Sequence, residues 1–304
     1  MKVFVTGVAG QLGHDVMNEL HKRGYEGIGS DLAPCYSGME DGTAVTSMPY
    51  ISMDITDEAA VSRTIREVKP DAVIHCAAWT AVDLAEEESL QSKVRAINVD
   101  GTAHIASVCR ELDCKMVYIS TDYVFDGRGE TPWHPDCKDY QPLSFYGQTK
   151  LEGELAVASA VAKHFIVRTA WVFGRNGKNF IQTMLNLGKK YDALRVVNDQ
   201  IGTPTYTIDL ARLLVDMVET EHYGYYHATN SGGYISWYDF ACEIFRQAGY
   251  DTHVTPVTTA EYGLSKAARP FNSRLDGSKL TQNGFAILPP WQDALARYLK
   301  EIEV

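Results

Sequence analysis

Short apolar runs alternate with helical stripes along most of the chain. Lys2 to Thr6 is apolar and β-branched and predicts a buried strand. Apolar positions then recur at Leu12, Val16 and Leu20, the spacing of one helix face. The alternation continues with a strand at Tyr25 to Ser30, a loop at Cys35 to Pro49 and a strand at Tyr50 to Met53. Thr56-Asp57 caps a helix running toward Val68. A buried strand at Ala72 to Ala78, a helix from about Ser89 to Cys109 and a strand at Lys115 to Ile119 complete the first half. Strands that alternate with helices in this way predict the α/β class, with a doubly wound parallel sheet.

The second half repeats the theme less regularly. Phe165 to Arg168 and Leu194 to Val197 read as strands, Asn179 to Lys189 as an amphipathic helix, and Tyr206 to Thr220 as a helix striped by Leu210, Leu213, Leu214 and Met217. Tyr225 to Ala228 is expected to return as a strand of the main sheet. Ser236 caps the helix Trp237–Ala248, and Pro289-Pro290-Trp291 introduces a last helix, Gln292–Ile302. No repeat, low-complexity tract or linker interrupts the chain. The expected division is discontinuous: residues 1–171 plus 192–230 form a dinucleotide-binding lobe, and 172–191 plus 231–304 form a smaller α/β lobe. A ligand cleft would lie between them.

The 304 residues are 45% hydrophobic and 22% charged, an ordinary globular composition. A formal net charge of -11 argues against binding nucleic acid or an anionic membrane. No apolar run is long enough to span a bilayer, and the opening MKVFVTG is a strand and turn rather than a leader. The six cysteines form no C-x-x-C pair, which suggests buried thiols in a reducing, cytoplasmic compartment and no zinc site.

The first chemistry lies between the first strand and helix, where Gly7, Gly10 and Gly13 recur at i, i+3 and i+6. In a dinucleotide-binding turn these serve the tight bend, the approach of a pyrophosphate and close helix–strand packing. The helix start adds free N–H groups and a favourable dipole. A glycine turn without a ligand is the alternative. Asp31, at the end of the second predicted strand, is placed to bind a ribose 2′-hydroxyl and to repel a 2′-phosphate. No Arg immediately follows it, so NADH is favoured over NADPH. The glycine loop, Asp31, Asp54, Ala78 and Thr121 all fall at strand C-termini, where such sheets bind ligands.

The second chemistry is Tyr146-x-x-x-Lys150, two side chains on one helix face. A tyrosine keeps its proton to pH ~10, and a nearby cation lowers that value, which suits it to acid–base work. Thr121 can offer a hydroxyl to the same reacting oxygen. A surface pair with a lysine stem over a ring is the alternative. Farther along, Trp171 reads as core or ligand wall, and Gln200 and Thr203 as ligand contacts or turn residues. Arg274 is the candidate for a forked phosphate contact, a surface ion pair being the alternative. His227 reads as structural.

Together these residues resemble the extended short-chain dehydrogenase/reductase superfamily, and more closely the dTDP-4-dehydrorhamnose reductase family. The closer resemblance rests on GQLG at Gly10–Gly13, AAWTAVD at Ala77–Asp83, STDYVFDG at Ser120–Gly127 and YGQTKLEGE at Tyr146–Glu154. It continues through RTAWVFG at Arg168–Gly174, NFIQTML at Asn179–Leu185, NDQIGTPT at Asn198–Thr205 and NSRLD at Asn272–Asp276. It implies that Gln11, Leu12, Asp31, Asp54, Ile55, Ala77, Ala78, Trp79 and Thr80 line the dinucleotide with Tyr146 and Lys150. It implies that Val82, Thr121, Asp122 and Trp171 face a dTDP-sugar. Thr121, Tyr146 and Lys150 would then be catalytic, reducing the C4 ketone of dTDP-4-dehydro-L-rhamnose. Some members are magnesium-bridged homodimers. Asp15 stands where such a member has a longer acid, and no metal site is assigned. The rival expectations are another nucleotide-sugar reductase or epimerase, and a non-catalytic regulatory subunit of the same fold.

Overall fold

Seven of the apolar runs are gathered into one parallel sheet. In the computed structural model, which describes residues 1–263 and 265–303, the first six strands are β1 (Lys2–Thr6), β2 (Glu26–Asp31), β3 (Tyr50–Ser52), β4 (Ala72–His75), β5 (Lys115–Thr121) and β6 (His164–Thr169). A seventh, Gly224–His227, lies along β6. The spatial order is Gly224–His227, β6, β5, β4, β1, β2, β3. The chain therefore winds outward from β1 in one direction, then starts again at β4 in the other. The crevice between the C-terminal ends of β1 and β4 is the switch point where open α/β sheets bind ligands.

Strand alternation builds a core on each face of the sheet. Val3, Val5, Ile74, Val117 and Val167 point to one side, where helices Gln11–Lys22 and Thr207–Val218 cover them. Phe4, Val73, Met116, Tyr118 and Ile166 point to the other, under Glu58–Val68, Gly101–Leu112 and Phe145–Ala160. A third core joins Phe173, Ile181, Leu185, Val196, Tyr206, Phe240, Ile244, Trp291, Leu295 and Tyr298. Among the described residues no helix is long and apolar enough to cross a membrane.

Two elements differ from expectation. Ala193–Val197, which the sequence placed with the first lobe, pairs in parallel with His253–Val257, and Val196 and Val254 enter the third core. The place beside β6 belongs to Gly224–His227, and an apolar strand face needs a partner that buries it. The helix expected from Ser89 to Cys109 is broken into Glu88–Arg95, a π-helical turn at Ala96–Asp100, and Gly101–Leu112. The wide turn brings the Asn98 side chain inward to bond the Trp79 backbone.

Candidate active site

The glycine turn forms one wall of the crevice. Gly7 has φ +72° and lies so near β4 that a Cβ would sit 2.6 Å from the Ala77 nitrogen. A side chain is excluded by both backbone shape and space. The turn leads into helix Gln11–Lys22, whose first turn has no side-chain cap at Gly10, so its N–H groups remain available to an anion. Beside it a cavity of about 130 Å³ is lined by Gly7, Asp31, Asp54, Ile55, Ala77 and Ala78. Thr6, Ser30, Leu32, Met53 and Ile97 line it too, though nothing in their local sequence marks them. The Ser30 hydroxyl is buried without a partner.

Several side chains also hold the cradle in shape. Asp31 accepts from the Ala9 N–H at 3.0 Å and the Leu32 N–H at 2.8 Å. Asp54 is exposed and closes a turn onto Thr56. The Gln11 amide faces away from the cavity, accepting from Gly174 N at 2.8 Å and donating to Lys178 O. Leu12 is buried in the core. Trp79 is fixed through its backbone to Asn98 and through its indole to Ala81 O, while Thr80 is exposed.

Helix Phe145–Ala160 carries Tyr146 and Lys150. Ser144 caps it by accepting from Gly147 N, and Glu86 accepts from Phe145 N. The Tyr146 ring packs with Val82, Ala85 and Val94 and meets the Tyr123 ring edge-on, centroids 5.6 Å apart. Its phenol is buried beside Thr121 and Asp122. Lys150 is also buried and donates to Ile119 O at 2.7 Å, its ammonium 4.1 Å from the Tyr118 ring centroid. Of its three donors, one is used on the protein.

Electrostatics alter one expectation. Burial, then the charge of Asp122, pushes the Tyr146 phenol above its ordinary pKa, against a hydrogen bond with Thr121. Lys150 exerts no resolved pull on it; burial instead brings the Lys150 ammonium down to about 7, against the attraction of Glu154. Desolvation outweighs the cation because both groups are enclosed. Tyr146 is thus held protonated, the state a proton donor needs.

The remaining candidates lie toward the second lobe. Trp171 adopts φ +52°, stacks on Trp237 with centroids 3.7 Å apart, lies against Gly202 and packs on the Val124, Phe125, Ala170 and Leu275 cluster. Gln200 donates to Thr259 Oγ1, and Thr203 donates to Gly233 O beside a cavity of about 310 Å³ lined by Asn230, Tyr234 and Leu275. One Gln200 amide N–H and the Thr203 hydroxyl proton are thus spent on the protein. Among the described residues the Arg274 guanidinium bonds only to Asn272 Oδ1 at 3.0 Å and makes no ion pair, whereas Arg269 is paired with Asp83 at 2.7 Å.

Asn98 and His75 were missed. Asn98 accepts from Trp79 N and donates to Thr149 Oγ1, so it joins the crevice loop to the Tyr146 helix. Its signal was a lone amide between Ile97 and Val99 on a buried face. His75 contacts Thr6 Oγ1 at 2.7 Å and Thr102 Oγ1 at 3.1 Å. Thr102 gives its own proton to Asn98 O, so His75 donates from Nε2. Burial, reinforced by Lys150, lowers it to about 3 and keeps it neutral.

Asp15 lies in the wall of another cavity of about 350 Å³, with Oδ2 unpartnered. Burial raises its carboxyl to about 7, against a hydrogen bond from Thr207. Among the described residues no three His, Cys, Asp or Glu side chains are gathered to hold a metal ion.

A switch-point crevice walled by a glycine turn, in a chain that also gathers Thr121, Tyr146 and Lys150, is the arrangement of a nicotinamide-dependent oxidoreductase of the short-chain dehydrogenase/reductase type. The whole chain, residues 1–304, matches the family model described as RmlD substrate binding domain, and the chain belongs to that family. It is 38% identical over 301 residues to spore coat polysaccharide biosynthesis protein SpsK of Bacillus subtilis (strain 168), covering 99% of this chain and 97% of that one. It is 38% identical over 297 residues to a Streptomyces griseus dTDP-4-dehydrorhamnose reductase, covering 96% and 90%. Among solved structures, the dTDP-4-dehydrorhamnose reductase of Clostridium acetobutylicum superposes with TM-score 0.89 at 40% identity, all of both chains being covered. The Bacillus anthracis enzyme in complex with NADP gives 0.87 at 36% identity, covering 99% and 100%.

Proposed function

We propose that the protein reduces the C4 ketone of dTDP-4-dehydro-L-rhamnose to dTDP-L-rhamnose, the last step in making that sugar nucleotide. What supports this reading is the gathering of Tyr146, Thr121 and Lys150 into one buried group, in a chain similar throughout to reductases of that name. A bound reduced nicotinamide supplies the hydride. Tyr146 gives its proton to the forming C4 alkoxide, Lys150 holds ribose hydroxyls, and Thr121 bonds the same substrate oxygen. The sugar lies in the cleft between the lobes, walled by Val82, Asp122 and Trp171. Arg274, lacking an acid partner, takes the diphosphate.

NADH is the preferred reductant. Asp31 edges the adenosine cavity, and no Lys or Arg occurs between Arg23 and Arg63, the stretch holding Asp31 and Asp54. A 2′-phosphate would meet acids there. Six free thiols and a nucleotide-sugar substrate support a cytoplasmic setting. The test is turnover of dTDP-4-dehydrorhamnose with each reduced cofactor, the product identified by chromatography. Consumption of NADH faster than NADPH, yielding dTDP-rhamnose, is expected. If neither is oxidised with this substrate, or only GDP-linked keto sugars react, the reading fails.

A further inference from the structure

The reductase reading leaves a shortage of protons beside Tyr146, and the inference that follows rests on that reading. Thr121 has one hydroxyl proton. Its Oγ1 lies 3.0 Å from Asp122 Oδ1 and accepts from Tyr123 N at 3.3 Å. An ionised carboxylate can only accept, so it takes the Thr121 proton. A ketone oxygen can also only accept. Thr121 therefore cannot serve the substrate while Asp122 is charged.

Asp122 is a poor place for a charge. It is 2% exposed, and its Oδ2 is buried without a hydrogen-bond partner. Among the described residues no cation pairs with it. The titratable groups facing it are Tyr146 from helix Phe145–Ala160 and Tyr123 from its own turn, and Ser273 adds a hydroxyl. Arg269 stands behind Tyr123 and is paired with Asp83.

We propose that Asp122 is a positioning residue that acts as a neutral carboxylic acid, its O–H donating to Thr121 so that the Thr121 hydroxyl turns to the C4 oxygen. The ketone then meets two donors, Tyr146 and Thr121. Neutral Asp122 also removes the negative charge that makes the Tyr146 phenol a weaker acid. Burial already lifts the carboxyl to about 6, against hydrogen bonds from Ser273 and Thr121, and a bound sugar that excludes water raises it further. A buried acid kept neutral so that it can donate is a known catalytic device.

Activity should fall as pH rises through the Asp122 titration. Asp122→Asn, whose amide donates and does not ionise, should lose that fall or shift it to higher pH. Asp122→Leu, with no donor, should lose about a hundredfold in kcat at every pH, the value of one oxyanion donor. An Asn variant as impaired as Leu, with a wild-type pH profile, would overturn the proposal by showing that the carboxylate is required. Infrared difference spectra of NADH-loaded wild type minus Asp122→Asn give a readout independent of turnover. A protonated-carboxyl band that fades only as pH rises past about 6 is expected, and carboxylate bands alone at pH 5 would overturn the assignment. Should the wild type leave NADH unoxidised with the dTDP-sugar, the reductase reading falls while the infrared result still decides the state of Asp122.

Discussion

Glu154→Gln tests what holds the Tyr146 helix against the sheet. Glu154 lies one turn beyond Lys150, and Arg168 stands on β6. Their contact is a two-pronged pair, Nε to Oε1 at 2.8 Å and Nη2 to Oε2 at 2.7 Å, with neither side chain exposed. The other guanidinium bonds go to neutral acceptors, Pro135 O and the Tyr140 hydroxyl, and the rings of Phe125, Tyr140 and Tyr225 surround it. His227, kept uncharged by burial and then by Arg168, is a third neutral acceptor through Nε2 at 3.3 Å and brings no countercharge. Glutamine preserves the shape of Glu154 but leaves an uncompensated buried cation, a loss of about 3–5 kcal/mol. Unfolding entropy near 2.1 cal/mol/K per residue gives about 0.64 kcal/mol/K over 304 residues, so Tm should drop about 5–8 °C. Scanning calorimetry of the cofactor-free protein measures it. The double variant Glu154→Met/Arg168→Met should recover much of the loss, because no charge is left buried. A drop below about 2 °C for Glu154→Gln would refute the idea that Glu154 compensates a buried Arg168 charge.

Tyr146→Phe keeps the ring in its apolar cluster and should lower kcat about 10²- to 10⁴-fold while NADH binding, followed by fluorescence, stays near wild type; full turnover would rule out the proton-donor role. Lys150 ionises near 10.5 in the unfolded chain and near 7 in the fold. Between those values the unfolded chain holds more protons, so this group makes stability rise with pH, and below 7 its cost is fully present. Lys150→Met should therefore melt higher than wild type, with the gap widest below pH 7 and closing toward 10.5; a pH-independent gap would contradict the burial argument. Gly147→Ala places a methyl against the Tyr123 carbonyl and should cost about 1–3 kcal/mol by overpacking, with kcat reduced because Tyr146 is displaced; an unaltered melting curve would count against this fit.

Local patterning revealed the sheet because its strands are buried on both faces and read as continuous apolar runs. The glycine cradle was legible for a similar reason: a turn that admits no Cβ needs glycine at fixed spacing. What escaped was non-local. Ala193–Val197 finds its partner at His253–Val257, a pairing that no neighbouring residue announces. The π-helical turn at Asn98 depends on the Trp79 backbone arriving beside it. The expected effect of Lys150 on Tyr146 failed because spacing says that two groups are near, not how dry their surroundings are. The competition for the Thr121 proton became visible only once Asp122 was seen to be enclosed.

Trp171 holds a left-handed backbone that costs a bulky side chain about 1–3 kcal/mol. Its indole is wedged between a second indole and a position with no room for a methyl. Glycine at 171 would relax the chain but remove the partition; a bulkier residue at 202 would expel it; loss of the indole at 237 would leave the twist unsupported. An evolutionary path toward a differently shaped sugar must therefore alter three distant codons nearly together, so this corner of the pocket should drift more slowly than its solvent exposure suggests.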